Sequence, residues 1–129
     1  MNILFITLRA LHILAGTFWV GAAVVTTAFL MPTARAMGPE GGKFVQFILG
    51  KKRMSNYISL SAILTTLSGI AFYWIVSGGL RSAWIFTSSG SIFSIGAITG
   101  IAAAILGGVV TAPTAARMEA LSKEMQSTG

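Results

Sequence analysis

The one histidine of the chain, His12, is the residue best suited to chemistry. It lies inside a long apolar segment, where an ionisable side chain is costly and is by default a functional candidate. A neutral imidazole in lipid can ligate haem iron or copper, or contact a quinone carbonyl. The alternative is a structural role, in which His12 hydrogen-bonds a hydroxyl or carbonyl group of a neighbouring helix.

Two further residues accompany His12 at helical spacing. Arg9 precedes it by three residues, so we expect the two on one helix face, with the guanidinium reaching outward and His12 about 4.5 Å deeper. Trp19 lies two turns beyond, as a core side chain or as a ring that stacks on a bound cofactor. His12, Arg9 and Trp19 are therefore candidate cofactor-binding residues, and His12 is the candidate metal ligand. One histidine supplies only one axial haem ligand, so a second would come from another subunit or stay open.

The sequence lacks the residues that other kinds of site would need. The chain has no cysteine, which excludes thiolate ligands, disulfides and covalent haem attachment. The three carboxylates, Glu40, Glu119 and Glu124, lie outside the apolar segments, so neither an acidic pair nor a Ser–His–acid arrangement can form around His12. No phosphate-binding glycine loop is present. We assign no catalytic residue, and an enzyme is the less favoured class.

Composition indicates the element that positions His12. Of 129 residues, 54% are hydrophobic and 9% are charged, whereas a soluble domain has roughly 25% charged residues. Three apolar runs, at about 8–31, 54–76 and 89–112, are each longer than the roughly 20 residues that span a bilayer. We predict one all-α membrane domain, 1–129, with three transmembrane helices. The first is expected to be retained, because no basic region precedes it and it exceeds a signal-peptide core of about 7–15 residues.

Basic residues predict the orientation. Seven of the nine lie in the loop 33–53 and the tail 114–129, which predicts that both are cytoplasmic and that the N-terminus lies outside a bacterial inner membrane. The same pattern accounts for the net charge of +6 without nucleic acid. Residues 43–49, followed by three basic residues, predict a short interfacial helix. Residues 82–86 suit the outer interface, with Trp84 as an anchor.

Small residues at helical spacing predict how the helices pack, because close backbone approach stabilises helix pairs in lipid. The first span presents Gly16. The second presents Ser55, Ser59, Ala62, Thr66, Gly69 and Tyr73. The third presents Gly96, Gly100 and Gly107, of which the first two form a GxxxG motif. We expect this motif to make contacts inside the chain, with a homo-oligomer or other membrane subunits as the alternatives.

Short strings in the first two spans carry a family resemblance. They are Leu8-Arg9-Ala10-Leu11-His12-Ile13-Leu14, Trp19-Val20-Gly21, Leu30-Met31-Pro32 and Leu67-Ser68-Gly69-Ile70. Over about residues 1–75 the pattern resembles the CopD-like integral membrane superfamily, which includes the copper-resistance CopD membrane domain and HemJ-type protoporphyrinogen oxidases. The resemblance implies a haem- or copper-associated bundle with His12 at the first-helix histidine. This chain departs from it in having three spans and a single histidine.

Three functions follow as expectations. The leading one is a CopD-like inner-membrane protein that binds b-type haem or a metal through His12 and associates with other membrane subunits. The second is a non-catalytic accessory subunit of a larger membrane complex, in which His12 only hydrogen-bonds. The third is a HemJ-like porphyrin oxidase.

Overall fold

The computed structural model describes residues 2–51, 53–111 and 120. The helices, in chain order, are α1 (Ile3–Val25), α2 (Met31–Ala36), α3 (Pro39–Gln46), α4 (Met54–Val76), α5 (Ser82–Ile85) and α6 (Ser88–Leu106). Single π-helical turns follow three of them, at Thr26–Leu30, Phe47–Lys51 and Gly107–Thr111. The predicted tail, 114–129, lies outside the described residues except for residue 120.

Three helical stretches are long and apolar enough to cross a membrane. They are Ile3–Ala36, Met54–Val76 and Ser88–Val109. The described residues contain no strand, so the predicted all-α bundle with three apolar helices is confirmed. Most of the large apolar side chains are exposed on the helix surfaces. A chain that exposes so much apolar surface is suited to lipid as its solvent, which indicates a membrane protein.

The first helical stretch is longer than the predicted span. It begins at Ile3, where the Asn2 side chain accepts a hydrogen bond of 3.2 Å from the Leu4 amide. It also continues past Pro32, because the wider turn Thr26–Leu30 precedes the proline and Met31 N–H bonds the Thr26 carbonyl. A π turn relieves the clash between a proline ring and the preceding helical carbonyl, so the proline does not end the helix.

A tight hairpin joins α2 to α3. Gly38, at φ 64°, makes the turn, and Gly41 packs on the backbone of Ala34, so that a Cβ added at Gly41 would lie 2.7 Å from the Ala34 Cα. Ala34 and Val45 are buried in this contact. The helix begins at Pro39 rather than at residue 43, since proline is favoured in the first helical turn.

The second span ends in a glycine cap. Gly79 N–H bonds the Trp74 carbonyl at 3.0 Å and Gly78 N–H bonds the Ile75 carbonyl at 3.2 Å, which is the Schellman arrangement. Both glycines have positive φ, 63° and 82°. The cap turns the chain toward α5 and so returns α6 alongside α4.

The two helix pairs differ in how much they pack. α1 lies along α4 over much of its length, whereas α6 contacts α4 chiefly near the α5 end. There, Tyr73 Oη lies 2.6 Å from Ser94 Oγ, and the rings of Phe72 and Phe93 stack at 6.3 Å. Trp84, predicted as an interfacial anchor, is half-buried and meets Tyr73 edge-on at 5.8 Å. The α1–α4 pair therefore forms the packed part of the bundle.

Candidate functional site

His12 lies half-buried between α1 and α4, and its ring is oriented by a backbone group. Its Nδ1 is 2.9 Å from the carbonyl oxygen of Thr65. A carbonyl oxygen can only accept, so Nδ1 carries the hydrogen. In the neutral imidazole Nε2 then has the free lone pair. The fold thus fixes both the tautomer and the plane of the ring. In other proteins, histidines that ligate metals are oriented by a hydrogen bond of the same kind.

Gly69 on α4 gives the imidazole its space. A Cβ built at this glycine would lie 2.7 Å from His12 Cε1 and 3.0 Å from Nδ1. Any residue larger than glycine at position 69 would displace the His12 ring. Gly16, one turn further along α1, packs in the same way on Thr65, whose Cγ2 would lie 3.3 Å from an added Cβ. The predicted packing glycines Gly16 and Gly69 therefore both lie at the α1–α4 contact.

Hydroxyl groups of α4 surround the His12 hydrogen bond. Ser68 is buried, and its Oγ donates chiefly to the Leu64 carbonyl at 2.5 Å, with the Thr65 carbonyl oxygen at 3.2 Å and His12 Nδ1 at 3.5 Å. Thr65 Oγ1 donates to the Ser61 carbonyl at 2.7 Å. Each hydroxyl is satisfied by its own helix, as in an apolar environment. The Thr65 carbonyl, which collects several donors, is thus the polar centre of the α1–α4 contact.

Sequence reasoning missed Thr65 and Ser68. The predicted face of α4 ran through Thr66, whose hydroxyl instead donates to the Ala62 carbonyl at 2.8 Å. The signal that could have found them is the spacing of Ser61, Thr65 and Ser68, which places three hydroxyl residues on one face. A polar stripe on an otherwise apolar helix indicates the side that faces another helix.

An open groove runs from His12 along α1. It has a volume of about 610 Å³ and is lined by His12, Ile13, Gly16, Thr17, Val20 and Gly21. Its surface is mostly apolar, and Gly21 has no neighbour within 4 Å of an added Cβ. All six residues belong to α1, and Thr65 of α4 covers Gly16. The groove is therefore a shallow, open apolar surface with His12 at its end, and it is not an enclosed pocket.

The other two candidates do not join His12 at this groove. Arg9 is exposed on α1, and its side chain has no hydrogen bond or ion pair with any described residue. Trp19 is half-buried, but it does not line the groove, and its ring has no aromatic partner among the described residues. Helical spacing alone predicted that Arg9 and Trp19 lie on the same face of α1 as His12. The structure brings only His12 to the groove.

The third span leaves its glycines uncovered. A Cβ added at Gly96, Gly100 or Gly107 would find no atom within 4 Å. Gly96 and Gly100 are exposed. These three predicted packing residues thus make no contact of that kind within the described part of the chain. Their face is available to a partner helix or to lipid.

The donors for a metal ion are sparse around His12. The described residues include no group of three or more His, Cys, Asp or Glu side chains that could hold an ion. Comparisons with models of known protein families, with curated proteins and with solved structures found no match. Fold and site together indicate a class only, that of a helical membrane protein with one imidazole held between its first two spans.

Proposed function

We propose that this chain is a CopD-like membrane protein in which His12 binds a b-type haem through Nε2 and which associates with other membrane subunits. The observation that carries the proposal is the hydrogen bond from His12 Nδ1 to the Thr65 carbonyl at 2.9 Å. It leaves Nε2, the other nitrogen, without a partner among the described residues.

The residues present fit a haem better than a bare metal ion. A lone imidazole with no second donor does not complete a copper or zinc coordination sphere. A haem iron already has four ring nitrogens, so one axial imidazole suffices to hold it. The groove offers Ile13 and Val20 to an apolar ring, and the missing side chain at Gly21 leaves room for a flat molecule. A haem bound there would supply reversible one-electron transfer.

The roles of this chain's own residues follow from the geometry. The Thr65 carbonyl holds the proton on Nδ1 and so leaves Nε2 as the nitrogen that can bind iron. Gly69 keeps the ring in its plane by leaving it room. His12 alone is the ligand.

Haemin titration of the purified protein tests the proposal. We expect a Soret shift that saturates at a fixed ratio of haemin to protein and is absent in His12→Gly. Because a cavity is left at residue 12, added imidazole should restore the band in this variant. Trp19→Phe is the matched control, since Trp19 lies outside the groove, and it should bind as the parent does. Equal binding by His12→Gly without imidazole would refute the ligand assignment.

A second candidate function has its own observation. The uncovered glycines of α6 favour an accessory subunit or homo-oligomer whose partner packs on that face. Gly100→Leu should then weaken assembly in mild detergent while the monomer keeps its helix content. Gly42→Leu, at an exposed glycine with no neighbour within 4 Å, is the control. Assembly unchanged by Gly100→Leu would refute this face as the contact.

The HemJ-like oxidase and the orientation of the chain are proposed on other grounds. The oxidase rests on the family resemblance and requires porphyrin turnover by the haem-loaded protein. The orientation rests on the basic residues and places the N-terminus outside a bacterial inner membrane. Cysteines introduced at Ser82 and Gly42 test it in cells. An impermeant thiol reagent should label Ser82→Cys and spare Gly42→Cys, and the reverse pattern would invert the topology.

A further inference from the structure

The end of the bundle formed by α2, α3 and the start of α4 carries a concentration of positive charge. Between residues 33 and 53 the sequence has five basic residues and one carboxylate. The opposite connection, between α4 and α6, has Arg81 as its single charged residue. The positive charge is therefore concentrated at one end of the bundle.

Among the described residues, the fold leaves the two arginines of this segment uncompensated. Glu40, the one carboxylate of the segment, is already paired with Lys43 at 2.8 Å. Arg35 and Arg53 are exposed, and their side chains have no hydrogen bond or ion pair with any described residue. Two arginine side chains at the same end thus present their planar guanidinium groups outward. Guanidinium groups bind phosphate oxygens in a bidentate manner.

The α2–α3 hairpin also presents apolar side chains beside these cations. Phe44 is 48% exposed and Met37 is 53% exposed. The hairpin is closely packed, because Gly41 contacts the backbone of Ala34 and Val45 is buried. Cations flanked by apolar groups at the end of apolar helices match the headgroup layer of a bilayer.

We propose that this end of the bundle binds anionic phospholipid, with the Arg35 and Arg53 guanidinium groups each on a headgroup phosphate and the exposed Phe44 and Met37 side chains against the lipid. This inference is independent of His12 and of any cofactor. Charge complementarity selects an anionic lipid over a zwitterionic one. The apolar side chains select a lipid over a free phosphate ion.

Competition between two lipids with the same acyl chains tests the proposal. The full-length protein in detergent is given equimolar dioleoyl phosphatidylglycerol and dioleoyl phosphatidylcholine, and the lipids it retains are counted by native mass spectrometry. We expect phosphatidylglycerol to be preferred. Arg35→Gln and Arg53→Gln should each lower the preference roughly fivefold, the factor that corresponds to about 1 kcal/mol per basic residue. Arg81→Gln, at the other end, should leave it unchanged.

Conservative variants keep the test decisive. Arg35→Lys and Arg53→Lys preserve the charge and should retain most of the preference, while helix content by circular dichroism should be the same in every variant. Equal retention of both lipids by the parent protein would overturn the proposal. An equal loss in Arg81→Gln, or displacement of phosphatidylglycerol by inorganic phosphate alone, would also overturn it.

Discussion

Replacement of Gly69 by alanine is the sharpest structural perturbation that the site offers. The new Cβ would lie 2.7 Å from His12 Cε1 and 3.0 Å from Nδ1. The first distance is about 0.8 Å short of the favourable carbon–carbon separation of ~3.5 Å. The imidazole must move away from α4, and the hydrogen bond to the Thr65 carbonyl, now 2.9 Å, must lengthen or break.

The magnitude follows from three contributions. Overpacking of a tight contact costs about 1–3 kcal/mol. Loss of an interhelical hydrogen bond in a membrane protein costs about 0.6 kcal/mol. Alanine is a better helix former than glycine by about 1 kcal/mol, which offsets part of this cost. We therefore expect Gly69→Ala to lower the free energy of unfolding by roughly 1–2 kcal/mol.

Reversible unfolding in mixed micelles measures this effect, and Gly21→Ala is the matched control. Gly21 lies in α1 with no neighbour within 4 Å of an added Cβ, so its replacement should be neutral or stabilising. In a His12→Ala background the penalty at Gly69 should vanish, because the clashing ring is gone. A Gly69→Ala protein as stable as Gly21→Ala would refute the packing argument.

Three further predictions concern the ends of the bundle. Tyr73→Phe removes a hydrogen bond to α6 and should cost about 0.6 kcal/mol in the same micelle assay, with faster amide exchange in α6. Gly41→Ala should open the α2–α3 hairpin at a cost of about 1–3 kcal/mol, seen as faster amide exchange in α3, whereas Gly42→Ala should not. The carboxylate of Glu40 raises the pKa of Lys43. The pair therefore stabilises α3 at pH values below the ordinary lysine pKa and loses this effect as pH rises through the raised pKa. Glu40→Gln should lower the pKa of Lys43 in an NMR titration, and an unchanged pKa would contradict the pairing.

Much of the helical architecture was predictable because it depends on local composition. The second span was expected at 54–76 and α4 runs from Met54 to Val76, since glycines and a charged loop bound it on either side. The first span differed at both ends. It begins at Ile3 instead of near residue 8, because the Asn2 side chain caps the helix there. Pro32 did not end it, because a π turn precedes it.

The site was predictable only in part. His12 stood out by its residue type, and Gly69 by its small size. Their contact depends on how α1 rotates against α4, which periodicity does not fix to within one residue. That uncertainty is why Thr66 was expected where Thr65 lies. The α6 glycines show the other limit, because a GxxxG spacing is the same whether its partner is in the same chain or in another.

Haem binding at His12 is tested most directly by the optical spectrum of the protein purified from its native membrane. It is recorded oxidised and after dithionite reduction, with His12→Ala beside it. If His12 binds haem, the parent protein should show a Soret band and sharp reduced α and β bands, and His12→Ala should lack them. A featureless spectrum from a parent protein of normal helix content would contradict haem binding at His12 and leave the imidazole as a packing group between α1 and α4.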